Sequence, residues 1–158
     1  MNVFKKILYA YQEDLNYTLY WHISLKLNKL PDGLLYRLLT LWLRHVEAKK
    51  CSSTGTGLPG NCCQLADELI LPHGLSGIII ARNVSIGNKV CIYQNVTIAE
   101  SDPSKYTIIE DNVMVGAGAV ILNNVRIGRG AKIGANCVVV KDVPAGATVV
   151  GVPGRVVH

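Results

Sequence analysis

Of the four histidines in this 158-residue chain, only His73 adjoins the repetitive stretch that fills the second half; His22 and His45 lie in an apolar N-terminal segment and His158 is the last residue. Imidazole titrates near neutrality, so a histidine on a rigid element is a natural group for drawing the proton off a hydroxyl. The same residue also reads as a loop histidine that donates one hydrogen bond. A second feature is the polar run Ala-Glu-Ser-Asp-Pro-Ser-Lys-Tyr-Thr-Ile (99–108), which interrupts the repeat. Loops thrown out of a rigid scaffold commonly carry binding residues, and are otherwise solvated surface. A third is the pair Ala117 and Ala135, each preceded by a glycine and separated by a whole number of the repeat units described next. Small residues stacked in this way leave a groove in which an extended ligand can approach the backbone and hydrogen-bond to it.

These residues must be positioned by a six-residue repeat. Every sixth position is aliphatic: Ile80, Ile86, Ile92, Ile98 and, after five extra residues, Ile109, Val115, Ile121, Ile127, Ile133 and Val139. Four residues after nine of these stands a small apolar residue: Val84, Val90, Val96, Val113, Ala119, Val125, Ala131, Cys137 and Val143. Between the columns come Asn83, Lys89, Asn95, Asn112, Gly118, Asn124, Gly130, Asn136 and Asp142, and all but Lys89 tolerate the left-handed conformation of a tight corner. A short fixed period with a corner in each unit is the mark of a β-solenoid, in which three units close one triangular coil and coils stack about 4.8 Å apart. Ala117 and Ala135 are three units apart, and so lie one above the other on adjacent coils. An ordinary sandwich would space its strands about 8 to 12 residues apart and would not repeat one corner type.

The segments Ile-Gly-Asn-Lys-Val-Cys (86–91), Val-Gly-Ala-Gly-Ala-Val (115–120), Ile-Gly-Arg-Gly-Ala-Lys (127–132) and Gly-Val-Pro-Gly-Arg-Val-Val (151–157) resemble the hexapeptide-repeat acyltransferases. Within these, the likeness is greatest to serine O-acetyltransferases and to similar short acetyltransferases of exopolysaccharide clusters. It covers roughly residues 65 to 157. The resemblance implies a mainly β chain folded as a left-handed parallel β-helix, a homotrimer, and acetyl transfer from acetyl-coenzyme A to a hydroxyl without a metal. Whether trimers pair further is open.

The resemblance also assigns roles. His73 stands in Leu-Ile-Leu-Pro-His-Gly-Leu-Ser-Gly-Ile-Ile-Ile (69–80), one residue longer than the family's segment around its catalytic histidine, and so would be the general base. The aspartate that pairs with this histidine in serine acetyltransferases falls on Leu58; Asp67 is the nearest acid in sequence and the candidate to orient the ring. The family's acceptor-binding Arg-His pair falls on Lys105 and Tyr106. Lysine keeps the positive charge but lacks the planar fork of arginine. The pantetheine arm would lie along Ala117 and Ala135, with Lys132, Pro153 and Arg155 toward the phosphate and adenine end of coenzyme A. L-serine is the expected acceptor. A saccharide, which could stack on Tyr106 without needing the charge, is the second reading, and a non-catalytic trimeric scaffold the third. A hexapeptide-type carbonic anhydrase needs three zinc-binding histidines and is excluded.

The chain divides on composition into a helical segment (1–50), a Gly/Ser/Thr/Pro linker (51–64) and the solenoid (65–158). Pro31 and Asp32 are the helix-start signal for a helix whose apolar face comprises Leu34, Leu35, Leu38, Leu39, Trp42, Leu43 and Val46, and another helix is expected within residues 3–28. The first segment holds eight basic residues against four acids, +4 of the formal +5. Such a segment suits either an anionic membrane surface or a cap that covers the end of the solenoid and joins subunits. The cap is the expectation, because an open solenoid end exposes its core. The basic residues match no nucleic-acid-binding motif. No stretch reads as a transmembrane helix or a secretory signal. Five cysteines, an odd number with Cys137 in a core column, point to a reducing cytoplasm, and the adjacent Cys62 and Cys63 lack the spacing of zinc ligands.

Overall fold

The computed structural model describes residues 23, 33–49, 64–65, 69–99, 102, 104–122 and 124–157. Corners come first, because each six-residue unit must turn before its next strand. Lys89, Asn95, Asn112, Asn124 and Asn136 have φ between 52° and 59°, and Gly118 and Gly130 have φ 69°. Asn83 and Asp142 occupy the same place in the repeat without adopting that conformation. Asp142 instead accepts the Arg126 N–H on Oδ1 at 2.8 Å.

Between corners run strands of two or three residues that form three sheets. Sheet 1 stacks β1 (Gln64–Leu65), β4 (Val84–Ile86), β7 (Thr107–Ile109) and β10 (Arg126–Ile127). Sheet 2 stacks β2 (Leu69–Ile70), β5 (Val90–Ile92), β8 (Met114–Val115), β11 (Lys132–Ile133) and β13 (Thr148–Val150), and ends on β14 (Arg155–Val156). Sheet 3 stacks β3 (Ile79–Ile80), β6 (Thr97–Ile98), β9 (Val120–Ile121) and β12 (Val138–Val139). Up to β12 the chain visits sheets 1, 2 and 3 in strict rotation, and all pairings except β13 with β14 are parallel. This is the left-handed parallel β-helix.

Register shows where the rotation departs from regularity. Lys132 pairs with Met114 and Val138 with Val120, each partner three repeat units earlier, which is one regular coil. Met114 pairs with Cys91, a longer step, because the run after Ile98 adds five to the coil. Cys91 pairs with Ile70 across a coil that is also too long, whereas Thr97 pairs with Ile79 across a regular one, so three extra residues lie between β2 and β3. Both core columns are buried along their length, with the aliphatic column 0–2 % exposed and the small column 0–4 %.

Helix α1 (Leu34–Lys49) begins after Gly33, whose carbonyl accepts the Arg37 N–H at 3.0 Å. Asp32 lies outside the described residues, as do residues 1–22 and the linker up to 63. The buried face is narrower than the sequence pattern suggests. Leu43 and Val46 pack with Ile23 and Leu75, flanked by Leu39 and Trp42, while Leu34, Leu35, Leu38 and Leu41 are exposed. A stripe this wide spans more than one helix face, and among the described residues only the part over the first coil finds a partner. Leu69 and Leu71 belong both to this cluster and to the solenoid core, so α1 covers the open first coil. No helix among the described residues is long and apolar enough to cross a membrane.

At the corner between sheets 1 and 2, carboxylates join successive coils. Glu110 Oε1 accepts from Nε of Arg126 at 2.8 Å and also from its Nη2, and Glu110 Oε2 accepts the Arg129 N–H at 2.8 Å. Asp111 accepts the Asn88 N–H at 2.9 Å and faces the Arg129 guanidinium at 3.4 Å. The Arg126 hydrogen bonds, then the Arg129 N–H, hold the Glu110 carboxyl below its ordinary pKa. Its contribution to stability is therefore complete above the unfolded value of about 4.3 and disappears as pH falls through the lower folded value. Glu110→Gln should flatten this acid limb, as read by urea melts between about pH 5 and 2.5. Lys89 bears the cost of a left-handed corner without the short polar side chain that eases it. Lys89→Asn should raise stability by up to about 1 kcal/mol in the same melts at pH 7.

Candidate active site

His73 lies at the corner between sheets 2 and 3, in the turn that holds the three extra residues. The coils above keep strict backbone contact at this corner: Asn95 N–H donates to Ser76 O at 2.9 Å, Gly118 N–H to Gln94 O at 3.0 Å, and Asn136 N–H to Ala117 O at 2.9 Å. Ser76, Gln94, Ala117 and Ala135 therefore form one column. The expected alanine stack is present, and a Cβ on Gly116 would stand 2.7 Å from the Ala135 nitrogen, so only glycine allows the coils to approach here. The N–H groups of Ala117 and Ala135 donate to nothing among the described residues.

The surplus residues push His73 out of that column. Gly74 and Gly77, both at φ 65°, shape the turn, and a Cβ on Gly77 would fall 2.1 Å from Asn95 Oδ1. Leu75 ties the turn down, fully buried beneath Leu43 and Val46 of α1. His73 is exposed at the lower end of the alanine groove, its ring 5.9 Å from that of Tyr93 and tilted by 50°. Asp67 lies outside the described residues.

Lys105 and Tyr106 stand elsewhere. They follow β6 and precede β7, at the corner between sheets 3 and 1, so within one chain the width of sheet 3 separates them from His73. Asn124 of the next coil clamps their loop: Oδ1 accepts the Asp102 N–H at 3.1 Å, and Nδ2 donates to the carbonyls of Asp102 at 3.1 Å and Lys105 at 3.0 Å. Asp102 Oδ1 accepts the Ser104 hydroxyl at 2.6 Å and its N–H at 2.9 Å. Those bonds, the hydroxyl's first, lower the Asp102 pKa, and Lys105 Nζ stands 3.8 Å from its other oxygen. Tyr106 is 41 % exposed.

Lys132 faces outward from sheet 2, exposed and in register with Met114 below and Thr148 above. Val138 N–H donates to Gly151 O at 3.1 Å and Gly154 N–H to Val138 O at 2.7 Å, so the turn carrying Pro153 closes the upper end of the His73 corner. Arg155 follows it, exposed on β14.

A family model described as bacterial transferase hexapeptide (six repeats) matches residues 106–141. The match lies within the six-residue repeat. A serine acetyltransferase of Staphylococcus epidermidis is 38 % identical over 123 residues, which are 72 % of this chain and 56 % of the relative. The crystal structure of Neisseria gonorrhoeae serine acetyltransferase in complex with serine superposes with a TM-score of 0.71 at 28 % identity, covering 97 % of this chain and 66 % of that one. A serine acetyltransferase in complex with CoA gives 0.68 at 30 % identity, covering 87 % and 53 %. The chain spans about half the length of the curated relatives it matches.

Sequence reasoning overlooked Tyr93, Gln94, Leu75 and Asn124. The first two were within reach: stepping back from Ala117 by one coil plus the five-residue insertion lands on Gln94. The clamp gives a direct test of loop order. Asn124→Gly keeps the corner conformation but removes three hydrogen bonds, each worth about 0.5–1.5 kcal/mol. Trypsin cleavage after Lys105 should then quicken at least about tenfold, as followed by mass spectrometry.

Proposed function

We propose that this protein is an acetyl-CoA-dependent O-acetyltransferase whose acceptor is L-serine. The observation that carries the reading is His73, ejected from its column at the foot of the groove lined by Ala117 and Ala135. In the reaction His73 takes the proton of the acceptor hydroxyl, and the oxygen attacks the thioester carbonyl. The tetrahedral oxyanion is met by a backbone N–H at the groove, for which the unengaged N–H groups of Ala117 and Ala135 are suited. Collapse breaks the carbon–sulfur bond, and the proton held by His73 goes to the departing thiolate.

The groove fits a pantetheine arm because small side chains leave its backbone open, and Lys132, Pro153 and Arg155 stand along its side and upper end to meet the nucleotide portion. Lys105 and Tyr106 are the acceptor-side candidates. Because they sit at a different corner from His73, the reading includes a homotrimer, in which the loop of one copy faces the histidine of the next. The related proteins named with serine and with CoA support both substrates, and the odd cysteine count supports a cytoplasmic setting.

A saccharide acceptor has its own support. The charge of Lys105 is already shared with Asp102, and Tyr106 offers an exposed ring for stacking. Thiol release from acetyl-CoA, measured with L-serine and with a panel of sugars, decides between them. Serine-dependent release that falls by about 10²–10⁴-fold in His73→Ala is the expected outcome. Release only with a sugar moves the acceptor to the saccharide class. Release unaffected by His73→Ala refutes the mechanism. Ala135→Leu should raise KM for acetyl-CoA more than it lowers kcat.

A further inference from the structure

A base must present one ring nitrogen to its substrate, which requires that the other be held. Among the described residues no carboxylate and no hydrogen bond holds His73; its recorded neighbour is the Tyr93 ring, which fixes a plane but no proton. Directly after Tyr93 comes Gln94, whose Oε1 is buried without a partner. An amide oxygen in that state forgoes the hydrogen bond that a buried acceptor normally makes. Gln94 sits in the column immediately above Ser76, whose carbonyl accepts the N–H of Asn95, and Ser76 belongs to the same turn as His73. An unsatisfied acceptor and an unheld imidazole thus lie at one corner, on adjacent coils.

We infer that Gln94 is the positioning residue for His73, its unpartnered Oε1 accepting the N–H of one ring nitrogen when the exposed ring turns toward it, so that the other is left as the base. The inference rests on the reading of His73 as the base. A neutral amide here does the orienting that a carboxylate does in Asp–His pairs, without placing a negative charge beside the ring. It fixes the tautomer but adds no charge to favour the imidazolium.

The test uses the full chain with ¹⁵N-labelled histidine. In the wild type above neutral pH, one tautomer of His73 should dominate the ¹⁵N spectrum. Gln94→Met, close in volume and lacking the orphan oxygen, should return it toward the two-tautomer mixture of free imidazole, whereas Asp67→Asn should leave it unchanged. This readout needs no turnover, so a protein that transfers no acetyl group to any acceptor would refute the proposed activity and still report on Gln94. In turnover, Gln94→Met should lower kcat on the order of 10²-fold with KM for acetyl-CoA unchanged. Gln94→Glu, which retains an acceptor oxygen, should recover most of kcat and move the acid limb to higher pH. A mixed tautomer population in the wild type, an unchanged one in Gln94→Met, or an equal change in Asp67→Asn would overturn the assignment. Thermal melts of both Gln94 variants close to the wild type are expected, because a single hydrogen bond to an exposed side chain adds little to stability.

Discussion

Each coil of this molecule hydrogen-bonds to the one beneath it through its backbone, and that ladder dictates where anything else can be placed. Three repeat units must bring the chain back above itself, in phase, or the strands lose their partners. Side chains pointing inward are limited to an aliphatic and a small residue per unit, since every coil shares the same narrow interior. Extra residues can be admitted only where the ladder pauses, at a corner. The two insertions obey this rule: three residues before β3 and five before β7.

Both insertions carry residues of the proposed chemistry. One lifts an imidazole out beside a stack of alanines; the other holds a lysine and a tyrosine on a loop pinned by Asn124. Their rigidity comes from opposite sources. The His73 turn is anchored by an apolar residue, Leu75, sunk under the helix, while the second loop is anchored by polar bonds to a single amide. The helix thus does more than close the solenoid, because its buried face fixes the residue two positions after the histidine.

The core was legible from the residues because each column repeats one physical demand ten or so times. Corners were legible where Asn or Gly marks them, yet Asn83 and Asp142 look the same on paper and turn differently; Asp142 uses its carboxylate on a neighbouring backbone instead. The bulge at His73 is hard to read in the residues, because Leu69, Leu71 and Leu75 satisfy two rhythms at once and those between them include glycine and proline. The helix face is too wide on paper for a similar reason: an apolar pattern states which residues can be buried, and only the position of the first coil decides which are. The separation of His73 from Lys105 and Tyr106 follows from counting corners, a property of the closed coil and not of any local motif.

The reversal at β14 bears on how the molecule avoids growing. A stack of parallel coils ends in open strands whose unpaired amides invite another copy to continue the ladder, the route by which such folds become fibres. Here the final strand doubles back antiparallel across β13, with Arg155 exposed along it, while α1 lies over the opposite end. A second molecule therefore meets a strand of the wrong polarity bearing a charge at one end and a helix at the other. On sheet 2, at least, the ladder cannot be continued in the parallel sense by another copy.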